Sequence, residues 1–267
     1  MSNIHSSAVI DPKVEIADDV YVGPGCIFEG NIKIGKGNYF TSSVYLKGPL
    51  VIGEGNRFYP NSYIGHEPQD KKFSPETEGA GTLIGENNVF REGASVHRAT
   101  GEKPTTVGND NYMMVNSHLG HDTVIGNENV LVNGSLVAGH VEIADKVTIG
   151  GNGVIHQGVR IGTMAMISGG IGMTQDIPPY CIAYYMRTIG SLNMIGLRRG
   201  GYRDHIKPLQ KAFDLVFKQG LPNKVAVAKI REELGDDPLC EEFAAFVEKT
   251  KRGIAQLDVV TRTMKTR

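Results

Sequence analysis

The chain has 267 residues, enough for one large domain or two smaller ones with a sizeable core. Lys+Arg 28 against Asp+Glu 29 leaves a net charge of −1, so no chain-wide basic field argues for nucleic acid or a membrane surface as a partner. Cys26, Cys181 and Cys240 are scattered and lack metal spacing, which argues against a disulfide framework or a zinc knuckle and favours a reducing compartment. No apolar run has the length of a signal peptide or a membrane span, so a cytoplasmic protein without stable membrane insertion is expected.

Glycine is in excess, with 34 residues against a usual share of roughly 7%. From the N-terminus an apolar residue recurs every six positions: Ile10, Ile16, Val22, Phe28, Ile34, Phe40, Leu46, Ile52, Phe58 and Ile64. The register breaks over 66–81, resumes at Ile84, Phe90 and Val96, and breaks again over 99–106. It then runs from Val107 through Met113, Leu119, Ile125, Leu131, Val137, Ile143, Ile149, Ile155, Ile161 and Ile167 to Met173. None of these twenty-five positions is polar.

A period of six fits neither a helix nor one long strand; it fits a short strand followed by a corner, repeated. Glycine often follows the apolar residue, as at Gly35, Gly53 and Gly108, where a bend needs freedom in φ or a missing Cβ. Three corners close a triangular coil of 18 residues, and coils stack by parallel pairing at about 4.8 Å. The expected architecture is an all-β parallel β-helical prism, from which 66–81 and 99–106 leave as loops.

After Met173 the paired prolines of 178–179 end the repeat. We place a β-helix domain over 1–189 and a helical C-terminal domain over 190–267. In the second, Ile206, Leu209, Phe213, Val216 and Phe217 share a helix face, Asn223 is read as the cap of a second helix, and Asp237-Pro238 opens a third. Residues 190–267 carry a net charge of +5 and the rest of the chain −6. The tail reads either as a cap on the prism or as a basic dock for an acidic partner through Arg198, Arg199, Arg203, Lys207 and Lys211.

Five of the eight histidines, His97, His118, His121, His140 and His156, fall within 60 residues. A coil of 18 residues stacks His121 under Gly139, Gly139 under Gln157, and Asp122 under His140. Such a column suits acyl transfer to a hydroxyl, with His121 as base, Asp122 as its orienter and the Gly139 N–H as oxyanion donor. A rival use of the same region is a zinc shared through His118, His121 and His140, as in trimeric β-helical carbonic anhydrases.

The segments NSHLGHD (116–122), LVAGHV (136–141), IHQG (155–158), PQDKK (68–72), VHRAT (96–100) and QDIPPY (175–180) resemble the UDP-N-acetylglucosamine O-acyltransferase family of lipid A biosynthesis. The resemblance implies a left-handed prism and a homotrimer with sites between adjacent prisms. It implies transfer of an (R)-3-hydroxyacyl chain from acyl carrier protein to the 3-OH of UDP-N-acetylglucosamine, with no metal or cofactor beyond the donor thioester. By the same resemblance Asp70, Lys72, His118, His140, His156 and Gln157 contact substrate, and Asn193 and Arg199 meet the nucleotide. Gly169 takes the place of the acyl-chain ruler, where a missing side chain implies a long chain, about C12 to C14. The sequence departs from the family at Ile195, where a glutamate is usual, at Gly200, where an arginine is usual, and at Gly158, where an aromatic residue is usual. These departures raise a 3-amino UDP-sugar as an alternative acceptor.

Overall fold

The computed structural model describes residues 3–74 and 76–258. Strands of two to four residues wind into a triangular prism with three parallel faces. The first face begins at Asn3–Ile4 and runs to Met166–Ile167, where Cys181–Ala183 and then an antiparallel Ser191–Leu192 extend it. The second face runs from Val9–Ile10 to Gly172–Met173 and the third from Val14–Ile16 to Arg160–Ile161. The fold is a left-handed parallel β-helix.

Consecutive rungs are 18 residues apart, and the step lengthens to 32 and then to 23 where the two polar segments leave as loops. The repeat positions point inward. Phe40, Phe58 and Phe90 stack at 4.7 and 4.8 Å between centroids, with Phe28 edge-on to Phe40. All four are fully buried, so the hexad rule fills the prism with side chains and leaves no lumen.

The corners divide their steric tasks. The glycine after the apolar residue is mostly not at positive φ; a Cβ on Gly108 would lie 2.4 Å from the Gly126 carbonyl oxygen of the next coil. It is the missing Cβ that the corner requires there. The left-handed conformation falls two residues later, at Asp122 (φ 59°), His140 (φ 58°) and Gly158 (φ 68°), which stack in one column. Asp and His tolerate this region better than most residues.

A buried polar ladder runs inside another corner. Asn38, Asn56, Asn88, Asn111 and Asn129 stack rung on rung, each Oδ1 accepting from the next residue's backbone N–H at 2.8–2.9 Å and from its Nδ2 at 2.9–3.0 Å. The last Oδ1 accepts from Val147 N–H at 2.7 Å. Periodic polar residues inside an apolar prism are thereby satisfied.

The tail comprises α1 (Met194–Arg199), α2 (Ile206–Phe217), α3 (Asn223–Leu234) and α4 (Pro238–Glu248). Asn193 caps α1, a helix the sequence reading did not assign, by accepting from Gly196 N–H at 2.9 Å. Pro222, rather than Asn223, occupies the cap position of α3. Asp237 caps α4 through Leu239 and Cys240. The tail is strapped to the last rungs: Glu242 accepts from Thr163 at 2.5 Å and from the Tyr180 hydroxyl, buried Asp176 accepts from Thr250 at 2.7 Å, and Thr188–Ile189 pairs with Gln256–Leu257. Of the basic residues read as a dock, Lys211 pairs with Glu233 at 2.6 Å, while Arg198, Arg199, Arg203 and Lys207 are exposed.

Replacing Asn88 by Leu removes both ladder bonds to Asn111 and leaves buried donors unpaired, which should cost about 2–5 kcal/mol of stability. Denaturant unfolding measures it; a loss below about 1 kcal/mol would show that the ladder is dispensable.

Candidate active site

The second loop explains why a carboxylate can sit at this edge of the prism. Asp122 Oδ2 meets His121 Nδ1 at 2.6 Å. The same carboxylate accepts from the Thr100 hydroxyl at 2.6 Å, Thr100 N–H at 3.1 Å and Gly101 N–H at 2.9 Å. Its own N–H donates to Thr105 Oγ1 at 2.8 Å. Burial would raise the Asp122 pKa, but the bonds from Thr100, His121 and the two backbone amides prevail and hold it at about 2. An ionised Asp122 therefore fixes the His121 ring, with Nδ1–H toward the carboxylate and Nε2 as the free acceptor.

Stacking carries that nitrogen to Gly139. A Cβ on Gly139 would lie 2.8 Å from both Cε1 and Nε2 of His121, so only glycine lets the backbone come this close. The Gly139 N–H donates to no group among the described residues. The His121 and Asp122 side chains are 13% and 10% exposed, which leaves this edge narrow but open. His140 stands above Asp122 at 3.7 Å and crosses the His121 ring at 5.1 Å between centroids, with its side chain 48% exposed.

A second histidine group supports this edge from below. His118 Nδ1 meets Ser95 Oγ at 2.9 Å, and the His97 ring lies 5.1 Å from that of His118. Burial, then the neighbouring His97 and His121, push the His118 pKa down to about 4, so the ring is neutral near pH 7. Burial likewise lowers His97, whose Nδ1 contacts the Glu67 carbonyl, and His66 beside it. Glu67 pairs with Lys47 and with Arg98 at 3.7 Å. Arg98, 2% exposed, donates to the Thr77 carbonyl at 3.0 Å and faces the Phe73 ring at 5.7 Å, which anchors the first loop to the prism.

That loop carries Asp70 and Lys72. Asp70 Oδ1 accepts from Lys72 N–H at 2.9 Å, a local turn that leaves the Lys72 side chain exposed. His156 and Gln157 are exposed above Gly139, with His156 Nδ1 3.3 Å from Arg252 Nη2. The remaining expected residues lie elsewhere on the prism. Asn193 donates to the Met164 carbonyl at 2.9 Å, at the edge between the third and first faces, whereas His121 lies between the second and third. Arg199 is exposed at the end of α1, and Gly169 lies at the edge between the first and second faces, its position for a Cβ 3.0 Å from the Gly151 carbonyl oxygen.

Within one copy of the chain, His118, His121 and His140 do not converge on a common point. Among the described residues the group able to share an ion is His121, Asp122 and His140, with ligand atoms within 4.8 Å of one another, while His118 faces Ser95. The sequence reading missed Thr100, Gly101 and Thr105 as supports of Asp122, although Thr100 lies within VHRAT. It also missed Ser95 and Arg98, whose partners come from other rungs.

The fold and this edge place the chain among the hexapeptide-repeat β-helix proteins. Residues 176–255 match the second domain of the UDP-N-acetylglucosamine O-acyltransferase family. Over 260 residues the chain is 40% identical to the acyl-[acyl-carrier-protein]--UDP-N-acetylglucosamine O-acyltransferase of Thermodesulfovibrio yellowstonii, covering 96% of this chain and 100% of that one. The enzyme of the same name from Campylobacter concisus is 31% identical over 95% of this chain and 97% of its own length. The solved UDP-N-acetylglucosamine acyltransferase of Francisella novicida superposes with a TM-score of 0.92 at 33% identity, covering 97% of this chain and 96% of its own. The chain belongs to the UDP-N-acetylglucosamine O-acyltransferase family.

The buried histidines make stability depend on pH. A group held near 4 in the fold and at 6.5 when unfolded stabilises fully above pH 6.5 and loses that contribution as pH falls to about 4. His118 alone is worth about 3 kcal/mol over this window, with His97 and His66 adding in the same direction. Asp122 acts in the same sense at lower pH, losing its contribution as pH falls from 3.8 to about 2. Urea unfolding from pH 7 to 4 should show the decline and a flatter profile for His118→Gln; equal slopes for the two proteins would contradict it.

Proposed function

We propose that this chain transfers an (R)-3-hydroxyacyl group from acyl carrier protein to the 3-OH of UDP-N-acetylglucosamine, the reaction that opens lipid A biosynthesis. The observation that carries the reading is the 2.6 Å contact of His121 Nδ1 with ionised Asp122, which presents Nε2 beside the Gly139 backbone. His121 Nε2 takes the proton of the sugar hydroxyl as its oxygen attacks the thioester carbonyl carbon. The carbonyl oxygen becomes an oxyanion that accepts from the Gly139 N–H. Collapse breaks the carbon–sulfur bond, and the leaving thiolate takes the proton from His121. Both the activated acyl group and the base are then present, so the step calls for no metal or cofactor. Neutral His118 serves as a hydrogen-bonding wall, and the loop residues Asp70 and Lys72, the latter exposed, hold the sugar.

The relatives named above carry the hydroxyl-directed O-acyltransferase name, which favours an ester product over the amide that a 3-amino sugar would give. The functional assembly in this reading is a homotrimer. Asn193 and Arg199 follow a different prism edge from His121, so one site would combine both sets only across neighbouring copies. Asn193 already spends its side chain on Gly196 and Met164, which leaves Arg199 as the stronger nucleotide contact. The exposed basic residues of the tail suit acyl carrier protein, an acidic partner. Among the described residues no helix is long and apolar enough to cross a membrane.

Mass spectrometry of the nucleotide sugar after incubation with (R)-3-hydroxymyristoyl acyl carrier protein tests the reaction. Wild type should form the acylated ester, while His121→Ala and Gly139→Ala lose on the order of 100-fold or more in kcat. Undiminished product from His121→Ala would overturn the assignment of the base. The assembly is tested by mixing His121→Ala with Arg199→Ala after denaturation and refolding together. Mixed trimers should recover part of the activity, and a mixture no better than its components would contradict sites shared between copies.

A further inference from the structure

A cleft of about 650 Å³ opens between the prism and the end of the tail, bounded by His140 and Gly158 on one side and Lys249, Lys251 and Arg252 on the other. Its acidic members are already occupied. Glu142 pairs with Arg160 Nε at 3.3 Å, and fully buried Asp176 accepts from the Arg160 N–H at 2.9 Å and the Thr250 hydroxyl at 2.7 Å. None of the three tail cations has an ion-pair partner within 4.0 Å among the described residues. The cleft therefore carries uncompensated positive charge next to His140, the residue that shares Asp122 with His121.

Arg252 is built into this place rather than left loose on the surface. Its Nε donates to the Thr174 carbonyl at 3.2 Å and its Nη2 reaches His156 Nδ1 at 3.3 Å. His156 Nδ1 also lies 3.2 Å from the Gln157 carbonyl oxygen, so it is shared between two neighbours, and the guanidinium keeps its full charge and its remaining N–H donors. The stem crosses Gly158: a Cβ there would lie 3.9 Å from both Cδ and Nη1, and a larger side chain would compete for the same space. The family departure at Gly158 thus coincides with the arginine that fills the gap. A planar fork with spare N–H groups, flanked by two flexible ammonium groups, matches the oxygens of a phosphate.

We propose that Arg252, with Lys249 and Lys251, forms a phosphate-binding subsite of the transfer reaction, an inference that rests on the function proposed above. Both substrates bring a phosphate to this edge, the diphosphate of the nucleotide sugar and the phosphodiester of the carrier protein's pantetheine arm. The subsite fixes one of them so that the reacting atoms meet at His121.

Calorimetric binding reads the subsite without turnover. The probes are UDP and 4′-phosphopantetheine, with uridine and pantetheine as their phosphate-free counterparts, titrated into wild type, Arg252→Ala, Arg252→Lys and Lys251→Ala. Both alanine variants should weaken one phosphorylated probe by about tenfold while its phosphate-free counterpart is unchanged, and Arg252→Lys should recover part of the loss. Loss confined to UDP assigns the diphosphate; loss confined to 4′-phosphopantetheine assigns the donor arm. Thermal melting identifies any variant that fails to fold, and Lys251→Ala, which makes no hydrogen bond among the described residues, then carries the test. Equal affinities across all proteins, or parallel losses with and without phosphate, overturn the subsite. Because no acyl transfer is involved, that result is distinct from failure of the proposed reaction.

Discussion

Everything in this molecule depends on the in-register stacking of parallel rungs. Within the uninterrupted coils each strand residue lies in register with the one 18 positions on, so a feature placed once in the repeat is carried to a fixed height on a fixed edge. The stack lets Gly139 meet the edge of the His121 ring and sets His140 above Asp122. Neither pair is close in sequence. A single-residue slip would exchange inward and outward side chains along a whole strand, which the buried phenylalanine and asparagine columns strongly oppose.

The two loops convert this regular scaffold into a site. Each leaves the prism by lengthening one turn while the parallel stacking continues on either side, with a single register shift between Ile64 and His66 where the first loop departs. The first is pinned by Arg98 and presents Asp70 and Lys72. The second returns Thr100 and Gly101 to the Asp122 carboxylate, which is thereby kept ionised in a half-buried setting. Burial instead favours the neutral form of His118 and His97. The edge thus holds a fixed negative charge beside His121, a field that in the proposed reaction favours positive charge developing on that ring.

The prism was legible in the sequence because its constraint is strictly periodic: twenty-five apolar positions at one spacing leave no competing fold. The same arithmetic brought out the His121, Gly139 and Asp122, His140 stacks. Contacts that leave the repeat were not legible. Thr100 reaches Asp122 only through the path of a loop, and Arg252 reaches His156 across 96 residues and the whole tail. Short α1 escaped because it spans six residues and depends on Asn193 bonding both Gly196 and Met164. The asparagine ladder was hidden for another reason, since polar residues at corner positions read as solvent-facing although these five are buried.

The central claim is that stacking and Asp122 together hold His121 with its proton on Nδ1 and its lone pair on Nε2. Two-dimensional nitrogen–proton NMR on protein with ¹⁵N-labelled histidine observes this tautomer directly at neutral pH. The account predicts a protonated Nδ1 with a strongly hydrogen-bonded proton that is lost in Asp122→Asn, and an unprotonated Nε2. A His121 whose Nε2 carries the proton in the free protein would contradict it.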